Sequence, residues 1–447
     1  MQLFSSFPWM RRFASGFAIV SVALLVLVPL AACGGGSSSS GTSGTSSGPV
    51  NLTFWSWVTG IDKSVALWNQ THPNIHVKLS NVGSGPVEYN KLFTAIKANN
   101  EPDAAQIEFQ VTPQFETTGS LVDLSQYGVN SLKSQFAPWT WNQMSLGNAV
   151  YGIPGDTGPL ALYYRADLFQ KYHIPVPTTW AQYADDAAKL HAADPTSYIT
   201  DFNPRQPGWF TGLEWQNGAR PFGVSGQAWK VSINNPQALQ VASYWQDLIS
   251  KKLVKTEPDF DNAWYHDLQT GGVATWISAA WGAGIIELNA PKTAGLWKVA
   301  PIPQWQAGQT PVNGNWGGSA NVVFKSSKHP KEAAAFAQFI YTDPQSLEAM
   351  IKGNSIYPAY NPGLTSPLLT GPVAFFGNQN TGQLFTQAGT QVDPNFVWGP
   401  STEQVYNDIG DNFANAVNGH GTLSDGLNAV QQSTVTYMKK QGFSVTT

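Results

Sequence analysis

From Val50 onward the chain alternates short apolar runs with amphipathic stretches. In VNLTFWSW, residues 50–57, apolar side chains recur at every second position, which predicts a first strand. Ile61–Gln70 reads as a helix, NIHVKL as a second strand, and Val87–Ala98 as a helix with Leu92, Phe93 and Ile96 on one face. DAAQIEF predicts a third strand. Strands separated by helices imply a parallel sheet with right-handed crossovers. Ligands of such sheets sit beyond the carboxyl ends of the strands. Those ends are Trp57, Asn81–Gly85 and Phe109–Gln110, so three loops are expected to meet at one crevice rim.

Downstream, PTTWAQYADDAAKLH starts with Thr178 or Thr179 as N-cap and repeats Trp180, Tyr183, Ala187 and Leu190 at helical spacing. In NNPQALQVASYWQDLISKK, Asn235 caps, Pro236 opens the helix, and Leu239, Ala242, Trp245 and Ile249 form one stripe. Its basic end, Lys251 and Lys252, suits the helix dipole. HPKEAAAFAQFIY and Thr422–Lys440 predict further helices. No repeat of solenoid or propeller length is present.

The start of the chain follows different rules. Arg11 and Arg12 precede an uncharged apolar run, Phe13–Ala32, the pattern of a secretory signal. The run also matches the roughly 20 residues of a membrane helix, so an uncleaved anchor stays open on hydrophobicity alone. The single cysteine, Cys33, follows Leu30-Ala31-Ala32 and precedes a Gly/Ser/Thr tract reaching Gly48. Leu30–Cys33 resembles a bacterial lipobox. That resemblance implies a signal peptide over 1–32, acylation of Cys33, and attachment to the outer face of the cell membrane. Residues 33–49 read as a flexible tether, since their composition buries too little apolar surface to order.

With no cysteine after Cys33, no disulfide framework is available, and stability must come from a large core. Removing Arg11 and Arg12 with the leader takes the formal charge from −4 to −6, which gives no support to nucleic acid as a partner. Only Arg165, Arg205 and Arg220 remain as guanidinium donors, and no Gly-rich phosphate loop occurs, so a phosphate or sulfate site is disfavoured. Tryptophan is abundant instead, with 18 in the chain.

PDAAQIEFQVTPQFETTGSLVDLSQY, YGIPGDTGPLALYYRADLF, PTTWAQYADDAAKL, LQTGGVATWISAAWG and GGSANVVFKSSKHPKEAAAFAQFI occur in an order similar to that of the maltose-binding-protein-like extracellular solute-binding proteins of bacterial ABC importers. The resemblance implies an α/β, two-lobed periplasmic-binding-protein-like fold with a ligand cleft between lobes. It implies an N-terminal lobe of 50–155 with 302–355 and a C-terminal lobe of 156–301 with 356–447. It further implies a monomeric binder of a neutral saccharide, delivering it to membrane permease subunits, with no cofactor or metal.

Neutral sugars present hydroxyls and apolar C–H faces, so aromatic rings with a few carboxylates and amides are the groups that grip them. Trp57 lies at the strand end nearest the crevice, with Trp55 on the same face and open to a core role. Gln110 stands where relatives place an acid, which keeps hydrogen bonding and removes charge; Glu108 is a neighbouring candidate. Asp156, between Gly155 and Gly158 in the crossing segment, matches a ligand carboxylate of the family. The same resemblance brings in the pair Trp209 and Phe210, then Trp281, and Trp316-Gly317-Gly318 in GNWGGSA is expected to bring backbone close to the cleft. Trp215, Trp276, Tyr357 and Trp398 are open to either core or site. Glu108, Asp156 and Glu214 could converge as a glycosidase pair. Nucleophile-elbow, Walker and zinc-protease motifs are missing, and Pro73 separates His72 from His76, so an enzyme is not the expected reading. A polyamine or peptide binder is the other alternative; polyamines demand clustered acids, and here the acids are spread singly along the sequence.

Overall fold

The computed structural model describes residues 48–353 and 356–447; the leader, Cys33 and nearly all of the tether lie outside them. Its first sheet contains β1 (Val50–Trp55), β2 (Ile75–Ser80), β3 (Ala104–Glu108) and β4 (Gly152–Pro154). Its second is built on β5 (Leu160–Arg165), β6 (Thr275–Ala279) and β7 (Trp297–Pro301). A last strand, β8 (Ser319–Val323), returns to the first sheet, giving the order β2-β1-β3-β8-β4.

β1 runs parallel to β2 and β3, as the strand-helix alternation predicts. β8 does not: it pairs antiparallel with both β3 and β4, with Asn321 opposite Gln106 and Ile153. The sheet is therefore mixed, because its fourth strand arrives from a distant part of the chain. The second sheet, β6-β5-β7, is antiparallel throughout, and alternation with helices did not reveal this.

Local signals set the helices. Thr179 accepts from the N–H of Gln182 to cap Trp180–Ala193, and Asn235 accepts from Ala238 to cap Pro236–Ser250. Thr422 and Asp425 form a reciprocal capping box on Leu423–Lys440. Each such cap stabilises its helix by about 1 kcal/mol. One core packs Phe54 and Trp68 against Phe336 of helix Pro330–Thr342, beneath the first sheet. Another packs Tyr163, Trp180, Tyr183 and Trp245 beneath the second. A third joins Phe109 and Trp139 to Trp215, Phe396 and Trp398, with Trp139 edge-on to Trp215 at 5.7 Å.

Between the sheets the chain crosses in short extended segments that pair with each other. Thr157 donates its N–H to Tyr357 O at 2.8 Å, and Trp316 donates to Gly158 O at 2.8 Å. Gly158 is required by this closeness and not by turn geometry: a Cβ there would lie 1.9 Å from Trp316 O.

Candidate functional site

Beside this crossing ribbon lies a cavity of about 730 Å³. Seven of the sequence candidates line it: Trp57, Glu108, Asp156, Trp281, Trp316, Gly317 and Gly318. Gln106, Ser319 and the helix Gly282–Asn289 also line it, and sequence reasoning missed them. Signals for them existed. Gln106 shares a strand face with Glu108 by alternation, Ser319 directly follows Gly318, and Ile285 and Leu288 continue the helical face begun by Trp281. Leu288 is 77% exposed, as befits a rim residue.

The expected convergence of three loops is only partly observed. Trp57 and Glu108 reach the cavity, whereas no residue of 81–85 does, nor do Phe109 and Gln110. Gln110 is buried beside the site and donates Nε2 to Glu108 Oε2 at 2.9 Å. Trp209 and Phe210 lie in the core under the second sheet. Trp209 donates Nε1 to Ile277 O at 2.9 Å and packs on Trp245, while Phe210 packs edge-on to Phe413. The physical reason is their helix, Pro207–Gln216, whose residues Trp209–Gln216 are all buried. Trp215 is fully buried and Trp276 nearly so; Trp398 belongs to the third core. Tyr357 instead lines a larger cavity of about 960 Å³ with Thr157, Trp139 and Phe385. That cavity contains none of the ten ligand-site candidates and no charged side chain, so the smaller one carries the candidate chemistry.

The floor of the smaller cavity is a hydrogen-bonded chain. Ser56 Oγ donates to Gln106 Oε1 at 2.6 Å, and Gln106 Nε2 donates to Ser319 Oγ at 3.0 Å. Ser319 then gives both its Oγ–H, at 2.6 Å, and its N–H, at 2.9 Å, to Asp156 Oδ1. Burial pushes the Asp156 carboxyl up to about 6, against the pull of the two Ser319 bonds, and the nearby Glu108 charge adds to the rise. Glu108 Oε2 accepts from the Tyr89 hydroxyl as well as from Gln110. Burial raises Glu108 above its ordinary value, partly offset by these two donors. Glu403, in the helix Thr402–Val417, is raised to about 7 by burial and then by Glu108.

The opposite wall is aromatic. Trp281 and Trp316 meet with centroids 4.6 Å apart and planes at 67°, and Trp281 Nε1 donates to Trp316 O at 3.0 Å. Trp57, also lining the cavity, packs edge-on to Tyr89. Gly318 has φ 94 and turns directly over Phe109: a Cβ would fall 2.7 Å from its ring, so only glycine lets the backbone reach the cavity there. Among the lining residues Glu108, Asp156 and Glu287 are acidic, and none is Lys, Arg or His. Acids spread singly in sequence are thus gathered in one place by the fold. No group of His, Cys, Asp or Glu suited to a metal ion occurs among the described residues. None of the described helices is long and apolar enough to cross a membrane.

A family profile described as bacterial extracellular solute-binding protein matches residues 55–346. The arabinooligosaccharide-binding protein of Bacillus subtilis is 25% identical over 347 residues, covering 72% of this chain and 74% of its own. The lactose-binding protein of Rhizobium radiobacter is 24% identical, covering 82% of this chain and 88% of its own. Among solved structures, the galacto-N-biose-/lacto-N-biose I-binding protein of an ABC transporter from Bifidobacterium longum, in complex with lacto-N-biose, superposes with a TM-score of 0.80. It is 28% identical and covers 90% of this chain and 100% of its own.

Proposed function

Because the chain belongs to the bacterial extracellular solute-binding proteins, we propose that it captures a saccharide in the cavity beside the crossing ribbon and hands it to an ABC importer. The observation that carries this reading is the pairing of two walls in one cavity. Indole rings at Trp57, Trp281 and Trp316 offer faces for C–H surfaces, and Asp156 keeps Oδ2 for a hydroxyl while Oδ1 holds Ser319. Relatives named for arabinooligosaccharide, lactose and lacto-N-biose support a ligand of more than one ring. The lobes we assign are 50–155 with 302–355 and 156–301 with 356–447. Ligand contacting both would favour the closed arrangement by its larger contact with that state. Acylation at Cys33 would hold the monomeric body outside the cell, near its permease, and the bound sugar would leave with its bonds intact.

The gathering of Glu108, Asp156 and Glu287 in one cavity favours a second reading, a ligand bearing an amine. A thermal-shift screen against neutral saccharides, amino acids, peptides and polyamines separates the two. Ligand at 100-fold above its dissociation constant stabilises the fold by about 2.7 kcal/mol. Shifts confined to neutral saccharides are expected. Shifts confined to polyamines or peptides would replace the substrate class, and sugar release lost on Asp156→Asn would make the protein a hydrolase.

A further inference from the structure

Phe260 is not among the residues lining the cavity, yet its ring packs against both indoles of the aromatic wall. Its centroid lies 6.4 Å from Trp281 and 6.3 Å from Trp316, and 5.3 and 5.9 Å from the buried Trp264 and Trp276. It does so from a backbone that a bulky residue seldom adopts, with φ 61. Such a conformation persists only where the surroundings over-determine it. Here both neighbours are tied down. Asp259 Oδ1 accepts from Asn203 Nδ2 and, at 3.0 Å, from Gln206 Nε2. Asp261 accepts from Trp264 N–H at 2.9 Å and caps the helix Asn262–Thr270. With Asp259 and Asp261 fixed, the left-handed turn between them aims the Phe260 ring inward.

Resting on the reading of the cavity as a saccharide site, we infer that Phe260 is a positioning residue: anchored by Asp259 and Asp261, it fixes the orientation of Trp281 and Trp316 before ligand arrives. It touches no ligand itself. Its effect on affinity passes through the two indoles, and the aromatic half of the site is preformed.

The test measures saccharide affinity by titration calorimetry for Phe260→Ala and Phe260→Leu, alone and in a Trp316→Phe background, with near-ultraviolet circular dichroism of each. Both substitutions should weaken binding about tenfold in the wild-type background and less than threefold in the Trp316→Phe background, since the ring acts through its partners. The near-ultraviolet tryptophan bands should change while the far-ultraviolet spectrum stays as it was. Phe260→Gly, which relieves the strained φ but also removes the ring, should weaken binding as much as alanine while melting higher. Binding within twofold of wild type, or equal losses in both backgrounds, overturns the inference. If the wild type binds no saccharide, the reading of the cavity fails, and unchanged tryptophan bands in Phe260→Leu then overturn the positioning role separately. Should alanine fail to fold, leucine, which keeps apolar bulk, decides by the same criteria.

Discussion

From Ser56 to Asp156 the cleft wall is a relay of hydrogen-bonded polar side chains, whereas from Trp281 to Trp316 it is two indoles in edge contact. The polar wall contains Asp156, which burial raises to about 6, and Glu108, which burial also raises, whereas the two indoles do not titrate. The difference separates two jobs. Aromatic contact supplies affinity through area and dispersion, with little demand on direction. On the proposed reading the polar wall supplies direction, because a sugar hydroxyl would have to meet Asp156 at hydrogen-bonding geometry. One site thus carries a pH-insensitive and a pH-sensitive half.

The sharpest way to break this comparison is Trp281→Ala, expected to weaken saccharide binding by about 30-fold or more, as for other central aromatic anchors. Calorimetry at several pH values should find the loss the same at each; a pH-dependent loss would show that the walls do not act separately. Asp156→Asn should cost about tenfold near neutral pH and flatten the pH profile, since the charge-assisted bond is lost and shape is kept.

In the wild type, affinity should rise by up to about tenfold as pH passes upward through about 6, where Asp156 ionises and becomes the better acceptor. For the empty protein the linkage has the opposite sign. Burial raises the folded-state value, so the folded form holds the extra proton between the ordinary aspartate value and about 6, and stability falls as pH rises through that window. Melting curves of wild type and Asp156→Asn from pH 4 to 7 check this, with the variant showing the smaller fall. Ser319→Ala is the mildest test: losing a donor to Asp156 should raise the carboxyl further and weaken binding about threefold at neutral pH. A Ser319→Ala profile identical to wild type would remove Ser319 from the relay.

Much of this was legible in the sequence. Helix caps at Thr179 and Asn235 were, because a cap is a local event between residues three apart. Seven cavity residues were reached through strand ends and the family's motif order. Trp209 and Phe210 were not placed, because a helix buried on all sides has no polar face from which to read direction. The gathering of Glu108, Asp156 and Glu287 was invisible too: a strand end, the crossing segment and a helix distant in sequence meet there, and no local period encodes such a meeting. The antiparallel insertion of β8 escaped for the same reason, since its partners β3 and β4 lie far upstream.

That insertion has a consequence for synthesis. A nascent chain that has emerged only as far as Pro301 possesses β1 to β4 but leaves a slot between β3 and β4, with both edges unpaired. Exposed edges of this kind are templates for wrong partners. The first-made part of the molecule must therefore wait, unsealed, for Val323 to leave the ribosome. Truncations ending before that residue should precipitate even though most of the strands are already present.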